Sequence, residues 1–335
     1  MRRVSRRSAV ADNFELGPGT VCAQPGVRRW RTLAWLCLSA LLSCPLSSAR
    51  AQEGGIEVFA AETLFARGWR VSESYLYKRA GSFYRGSHAA NDPKDRVLEE
   101  HRAVTGIDYG FFPGLTVSAL IPVVYKRQKQ RLTGSPRTLE SFGAGDIAVL
   151  GKYRYFKRDW QRSAIHLAVI TGLEVPSGDT GEDENGVRLP PNLQPGSGSW
   201  DPITALAANL ELNRWRFDAL ALAKWNTEGA QDFEEGDFFA LELDSAYRFW
   251  HTKYPGPTAS AKLGIQWRHE ESDRMDSRRL ADSGLDELVL RAGLTFHPIP
   301  RMDLTLSADV PFYRDVKGEQ LVREVRTFFG FGIRF

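Results

Sequence analysis

The chain has 335 residues, 42% of them hydrophobic, with 44 basic and 41 acidic side chains and a formal net charge of +3. Its three cysteines, Cys22, Cys37 and Cys44, all precede Gln52, so the rest of the chain has no thiol for a disulfide, a thiolate metal site or a cysteine nucleophile. After residue 52 no apolar run reaches 18 residues, which excludes spanning helices.

The first segment reads as an export signal. Arg28, Arg29 and Arg31 precede the apolar run Leu33–Leu42, and Ala49-Arg50-Ala51 forms a small-residue cleavage site before Gln52. The run is too short to span a membrane, which takes about 20 residues. The stretch before Val27 is long for a charged region, which places the expected translation start near Val27. Leu41-Leu42-Ser43-Cys44 loosely resembles a lipoprotein site and is the alternative; the A-x-A site fits better. Removing residues 1–51 takes eight arginines and two acids with it, leaving 36 basic against 39 acidic residues. The net basicity therefore belongs to the leader and gives no argument for nucleic acid. Residues 52–68 are expected as a short periplasmic segment, and 69–335 as the folded domain.

From residue 69 onward the chain shows period-two patterning in segments of the length expected for membrane-crossing strands. Twelve are expected, at about 69–79, 98–110, 114–127, 143–156, 162–175, 201–212, 214–227, 237–250, 258–270, 285–297, 302–313 and 324–335. Links after odd-numbered strands are long or polar, such as Pro176–Trp200, and links after even ones are short, such as Asn213. That alternation of long extracellular loops and short periplasmic turns, with an even strand count, predicts an all-β, antiparallel, up-and-down barrel in the outer membrane. Both termini are then expected in the periplasm. The strand at 214–227 shows the two faces clearly. Trp215, Phe217, Ala219, Ala221, Ala223 and Trp225 alternate with Arg214, Arg216, Asp218, Lys224 and Asn226. The two tryptophans stand roughly 25 Å apart along the membrane normal, the height of an apolar band between aromatic girdles. A periplasmic β-sandwich or closed soluble barrel is the rival, but neither has a use for charges on nearly every opposite face. The last strand ends Phe329, Phe331, Ile333, Phe335, and this Phe335 end resembles the signal read by barrel-assembly machinery.

One region carries a resemblance beyond pattern. Phe142-Gly143-Ala144-Gly145-Asp146-Ile147-Ala148-Val149-Leu150-Gly151-Lys152-Tyr153-Arg154 is similar to a stretch of the bacterial outer-membrane family named for a putative meta-pathway of phenol degradation. Gly172–Asp179 and Pro195–Asp201 resemble two further elements of that family. The resemblance implies a barrel and the passage of hydrophobic or aromatic compounds. The same residues also have an architectural reading: Gly143 and Gly145 allow tight turning, and Pro176-Ser177-Gly178 ends a strand. Functionally, the 176–200 loop could fold into the mouth and constrict it, with Pro176, Gly178, Asp179, Gly196, Gly198 and Asp201 as candidates.

The alternation places Asp146, Lys152, Arg154, His166, Glu174, Arg216, Asp218, Lys224, Arg268 and Arg291 in the lumen, with Arg214, Glu242, Asp244, Arg248, Lys262, Glu287, Asp303 and Asp309. Such mixed charges read either as a structural ion-pair network or as a polar passage with little ion preference. A lumen or rim lipid hydrolase needs serine and histidine together, and His166 lacks that arrangement. The acidic run 178–186 lacks the spacing of a calcium loop and reads as a solvated loop. The sequence thus predicts a non-enzymatic channel without metal or cofactor, passing small hydrophobic or aromatic solutes, its neighbours outer-membrane lipid and lipopolysaccharide. An occluded structural or surface-binding barrel is the alternative.

Overall fold

The computed structural model describes residues 59–132 and 135–335, so the expected export segment, the start near Val27 and the Cys44 alternative lie outside the described residues. Ten strands follow one another: β1 (Trp69–Gly86), β2 (Val97–Phe112), β3 (Leu115–Leu132), β4 (Ile147–Asp159), β5 (Ser163–Val175), β6 (Asp201–Leu212), β7 (Trp215–Lys224), β8 (Phe238–His251), β9 (Thr258–Glu270) and β10 (Leu285–His297). They are followed by one extended run, Met302–Arg334. Each strand is antiparallel to the next, and the final run returns to pair with β1, so these eleven runs close the sheet on itself. Two shorter strands attach outside that ring, His88–Ala90 on β1 and Ser135–Ala144 on β3.

The final run has 33 residues. Straight, it would be about 110 Å long at roughly 3.3 Å per residue, several times the thickness of a bilayer. It is instead folded back. Its first limb pairs with β10, from Phe296↔Leu304 to Leu285↔Val316, and its second with β1, from Arg85↔Glu319 to Arg70↔Arg334. The reversal falls at Lys317–Gly318, where Gly318 has φ +66°, a left-handed conformation that tight hairpin turns use. With these limbs named β11 (302–316) and β12 (319–334), the wall is crossed twelve times, as the period-two pattern predicts.

The outer face is apolar. Leu241, Leu243, Leu263, Leu294 and Leu306 are each more than half exposed. Left in water, each would forfeit about 2 kcal/mol of burial; lipid removes that cost, and a sandwich would have buried them. Aromatic side chains border the band: Trp69 meets Tyr109 at 4.6 Å between ring centroids, Tyr109 meets Phe111 at 4.9 Å, and Trp215 meets Tyr247 at 4.8 Å.

Three details differ from the sequence-based expectation. β1 continues to Gly86 and β12 begins near 319, and residues 135–144 continue the β3 ladder where a loop is expected. Ion pairs across these extensions include Arg85–Glu319 and Arg127–Glu140, the latter at 3.3 Å, and residues 80–86, 319–323 and 135–144 carry no apolar period of two. Second, the strand expected to run unbroken over 143–156 is interrupted. β3 pairs above with 135–144 and below with β4, and the ladder breaks at Gly145–Asp146. Third, residues 59–66, expected as part of a periplasmic segment, lie inside the ring. Ala61 and Leu64 are buried at 0% and 1% exposure.

Candidate functional site: a two-sided lumen

The inward positions of β3 to β7 carry an apolar strip. Leu150, Ala168, Ile170, Ile203, Ala205 and Ala207 are buried together, and Leu120, Leu220 and Leu222 pack against them. The strands that bear it are apolar on both faces, lipid outside and strip inside.

The entering segment docks on this strip. Phe59 and Ala61 pack against it. Three polar contacts then fix the segment. Lys152 donates from Nζ to the Ala60 carbonyl at 3.0 Å, the Leu64 N–H donates to Thr116 Oγ1 at 2.9 Å, and Arg216 forms a two-pronged pair with Glu62, its Nη2 lying 2.9 Å from Oε2. Buried carboxylates need such partners, because losing one leaves an uncompensated charge. Residues 59–66 therefore narrow the short-turn end of the barrel.

The remaining inner wall, across β8 to β12, β1 and β2, is ionic. Arg70 bridges Asp108 at 3.2 Å and Asp303 at 3.1 Å. Arg291 joins Glu242 at 2.8 Å and Asp309 at 2.9 Å, and Arg326 meets the same Asp309. Arg268 pairs with Glu270, and Arg323 with Glu287. On β5 to β7, too, sequence-predicted lumen residues are found in clusters. Arg216 holds Asp218 at 2.8 Å, and Lys224 joins Glu174 at 3.2 Å and Asp201 at 3.1 Å. Arg154 and His166 stand apart from these clusters. Both His166 ring nitrogens are buried without a hydrogen bond, and Nε2 is 3.7 Å from Asp159, so no serine–histidine couple forms there. Among the described residues, no group of three or more His, Cys, Asp or Glu side chains is placed to hold a metal ion.

The predicted constriction residues converge on the ladder break. The Asp146 carboxylate accepts hydrogen bonds from the Gly178 N–H at 2.8 Å, the Ser197 N–H at 2.5 Å and the Ser197 hydroxyl at 2.8 Å. Asp179 accepts from the Ala144 N–H at 2.7 Å. Gly178 and Gly196 cross so closely that a Cβ on Gly196 would stand 2.7 Å from Gly178 Cα, which admits only glycine. Gly198 has φ +74°, and Asp201 receives Ser199 Oγ at 3.0 Å. Pro176 precedes this clasp, ending β5 at Val175. The clasped loop then turns across the opposite end of the ring. Leu189 and Leu193 bury against Leu139, and Lys126 donates to the Asn192 and Gln194 carbonyls at 3.0 and 2.7 Å. The lumen is thus narrowed at both ends on its apolar side. In the acidic run 178–186, Glu184 pairs with Arg137 at 2.6 Å and Asp183 accepts from the Gly186 N–H at 2.9 Å, which makes it a structured turn.

Outside the wall, burial pushes the Asp273 carboxyl up to about 6, against the opposing hydrogen bond from the Gly236 N–H. Burial would also raise Asp92, but hydrogen bonds from the Arg96 side chain and from backbone N–H groups outweigh it and hold the carboxyl low.

Sequence reasoning did not find Glu62, Arg70, Arg323 or the apolar strip. The strip had a signal, the inward positions Leu150, Ala168, Ile170 and Ala205 lying between outward apolar residues.

A family model for the putative MetA-pathway of phenol degradation matches residues 101–320. The chain belongs to this family. Among solved structures, the COG4313 outer membrane channel from Pseudomonas putida F1 is similar at 16% identity and TM-score 0.62, covering 84% of this chain and 100% of that one. The beta domain of the Bordetella autotransporter BrkA follows at 11% identity and TM-score 0.43, covering 80% and 100% of the two chains. The CymD monoaromatic hydrocarbon channel aligns at 10% identity and TM-score 0.38, covering 81% and 89%. A search of curated protein sequences finds no significant match. The family's barrel thus shares its fold with an outer-membrane channel.

Proposed function

We propose that this family member is a passive outer-membrane channel for small hydrophobic or aromatic solutes. The observation that carries this reading is the apolar strip along one side of an otherwise ionic lumen. With residues 59–61 lifted from the strip, a ring-sized solute moving along Leu150, Ile170 and Leu222 would keep its apolar surface out of water. The ionic wall opposite is saturated by its own pairs and keeps the barrel open without binding ions strongly. No covalent step and no energy source are required. The family's name agrees with solutes of this kind. Both termini then face the periplasm, and the Phe335 end is offered to the assembly machinery as the barrel inserts among lipid and lipopolysaccharide.

A second reading has its own observation. Residues 59–66 and 189–194 occupy the two ends of the lumen, as an occluded structural barrel would require. Flux of phenol-like aromatics and of sugars of similar size into liposomes separates the two. Faster aromatic entry, slowed by Leu150→Asp, supports the channel; no entry of either solute supports occlusion.

A further inference from the structure

We propose that the outer face of β12, β1 and β2 is the contact surface of a two-fold dimer of this chain, with Glu73 at its centre. The dimer does not rest on the channel reading above.

Glu73 is exposed on the lipid side of β1, in register with Phe331 on β12 and Thr105 on β2. Its outward neighbours Tyr75, Phe329 and Ile107 are exposed as well. It lies four positions beyond Trp69. At about 3.3 Å per residue and a tilt of about 40°, that places it roughly 10 Å inside an apolar band about 25 Å tall. Among the described residues it is the one charged side chain within that band on the lipid face. Other outward charges, such as Arg79, Glu99, Arg158 and Asp286, stand at or beyond the aromatic and histidine side chains that border it. Lipid offers a carboxyl no hydrogen-bond partner, and ionisable side chains at this depth pair with protein groups. The chain supplies half of what this one needs. The Thr105 hydroxyl donates to Oε2 at 2.7 Å, and no described residue donates to Oε1.

A second copy brings the missing partner at the right depth. A two-fold axis along the membrane normal sets each residue against its counterpart at its own height. Glu73 then meets the other copy's Glu73, and one carboxyl donates to the other while each keeps its own Thr105. Contact with another sector of the wall would be head-to-tail and would not close. The surroundings also suit a protein contact. Aromatic Tyr75, Phe329 and Phe331 stand beside the small Ala103 and Thr105, a pairing of large and small side chains that packs closely in membranes. The mid-strand outward positions of β8 to β11 hold Leu243, Leu263, Leu290 and Leu306 instead, which lipid solvates without a partner.

The test is sedimentation equilibrium of the refolded chain in density-matched detergent, paired with native mass spectrometry from lipid vesicles. The proposal expects a dimer. Glu73→Leu, which suits lipid, should weaken it at least about tenfold, because each dimer loses two carboxyls. Glu73→Gln should keep it, since an amide both donates and accepts. Retention of the compact, heat-modifiable gel band shows that each variant still closes its barrel. A wild-type chain that stays monomeric in both measurements overturns the proposal, and so does a closed Glu73→Leu barrel that dimerises as tightly as wild type.

Discussion

Replacing Asp146 by asparagine loosens the clasp that closes the break between the 135–144 strand and β4. The carboxylate accepts three hydrogen bonds, at 2.8, 2.5 and 2.8 Å, from Gly178 and Ser197. Gly178 donates to one oxygen and Ser197 to the other, so asparagine, with one acceptor oxygen, loses at least one of these bonds and turns an N–H₂ group toward the donor it leaves. Hydrogen bonds to an ionised group contribute about 1.5–3 kcal/mol each, which puts the loss at roughly 1.5 kcal/mol or more. At about 1.4 kcal/mol per tenfold, the loop should open at least about ten times more often. Hydrogen exchange in lipid nanodiscs measures this directly. The Gly178 and Ser197 amides should exchange at least about tenfold faster, while amides in the β9–β10 ladder keep their rates. A change below about threefold at Gly178 and Ser197 would show that the carboxylate is not what holds the loop, and would refute this account of the motif.

Other perturbations address the plug, the strip and the loops. Arg216→Gln removes the partner of Glu62; stranding a buried carboxylate costs about 3–5 kcal/mol, so single-channel recordings should show larger or more frequent openings than wild type. Leu150→Asp places an unpaired charge in the apolar strip and should cut aromatic flux at least tenfold in liposomes while sugar flux changes little. The Asp273 carboxyl is raised to about 6 by burial; a raised acid favours its protonated form in the fold, so its contribution is complete at low pH and is lost as pH rises from about 4 through 6. Protection of the 271–284 loop should therefore fall between pH 5 and pH 8 after correction for intrinsic exchange, and Asp273→Asn should abolish that dependence.

Much of this was legible from the residues. Period-two alternation located the twelve crossings because each strand separates lipid from lumen, as in Trp215 to Trp225 against Arg216 to Lys224. The glycines at 178 and 196 were readable as architecture, and the structure adds that their close crossing is what Asp146 clasps. The ladder break was not legible, because Gly143–Asp146 keeps its alternation on both sides of it. Nor was the plug: Glu62 sits in a short segment without period, and only tertiary contact with Arg216 on β7 gives it a role. The extended ribbons of β1 and β12 were missed because residues 80–86 and 319–323, where Arg85 pairs with Glu319, show no apolar period of two to read.

The claim that the apolar strip is a solute path is tested most directly by flux into liposomes carrying the refolded chain, with phenol-like aromatics and sugars of similar size compared. The account predicts aromatic entry well above protein-free liposomes and above the sugars, reduced at least tenfold by Leu150→Asp. Equal entry of both solutes, unaffected by that substitution, would contradict it.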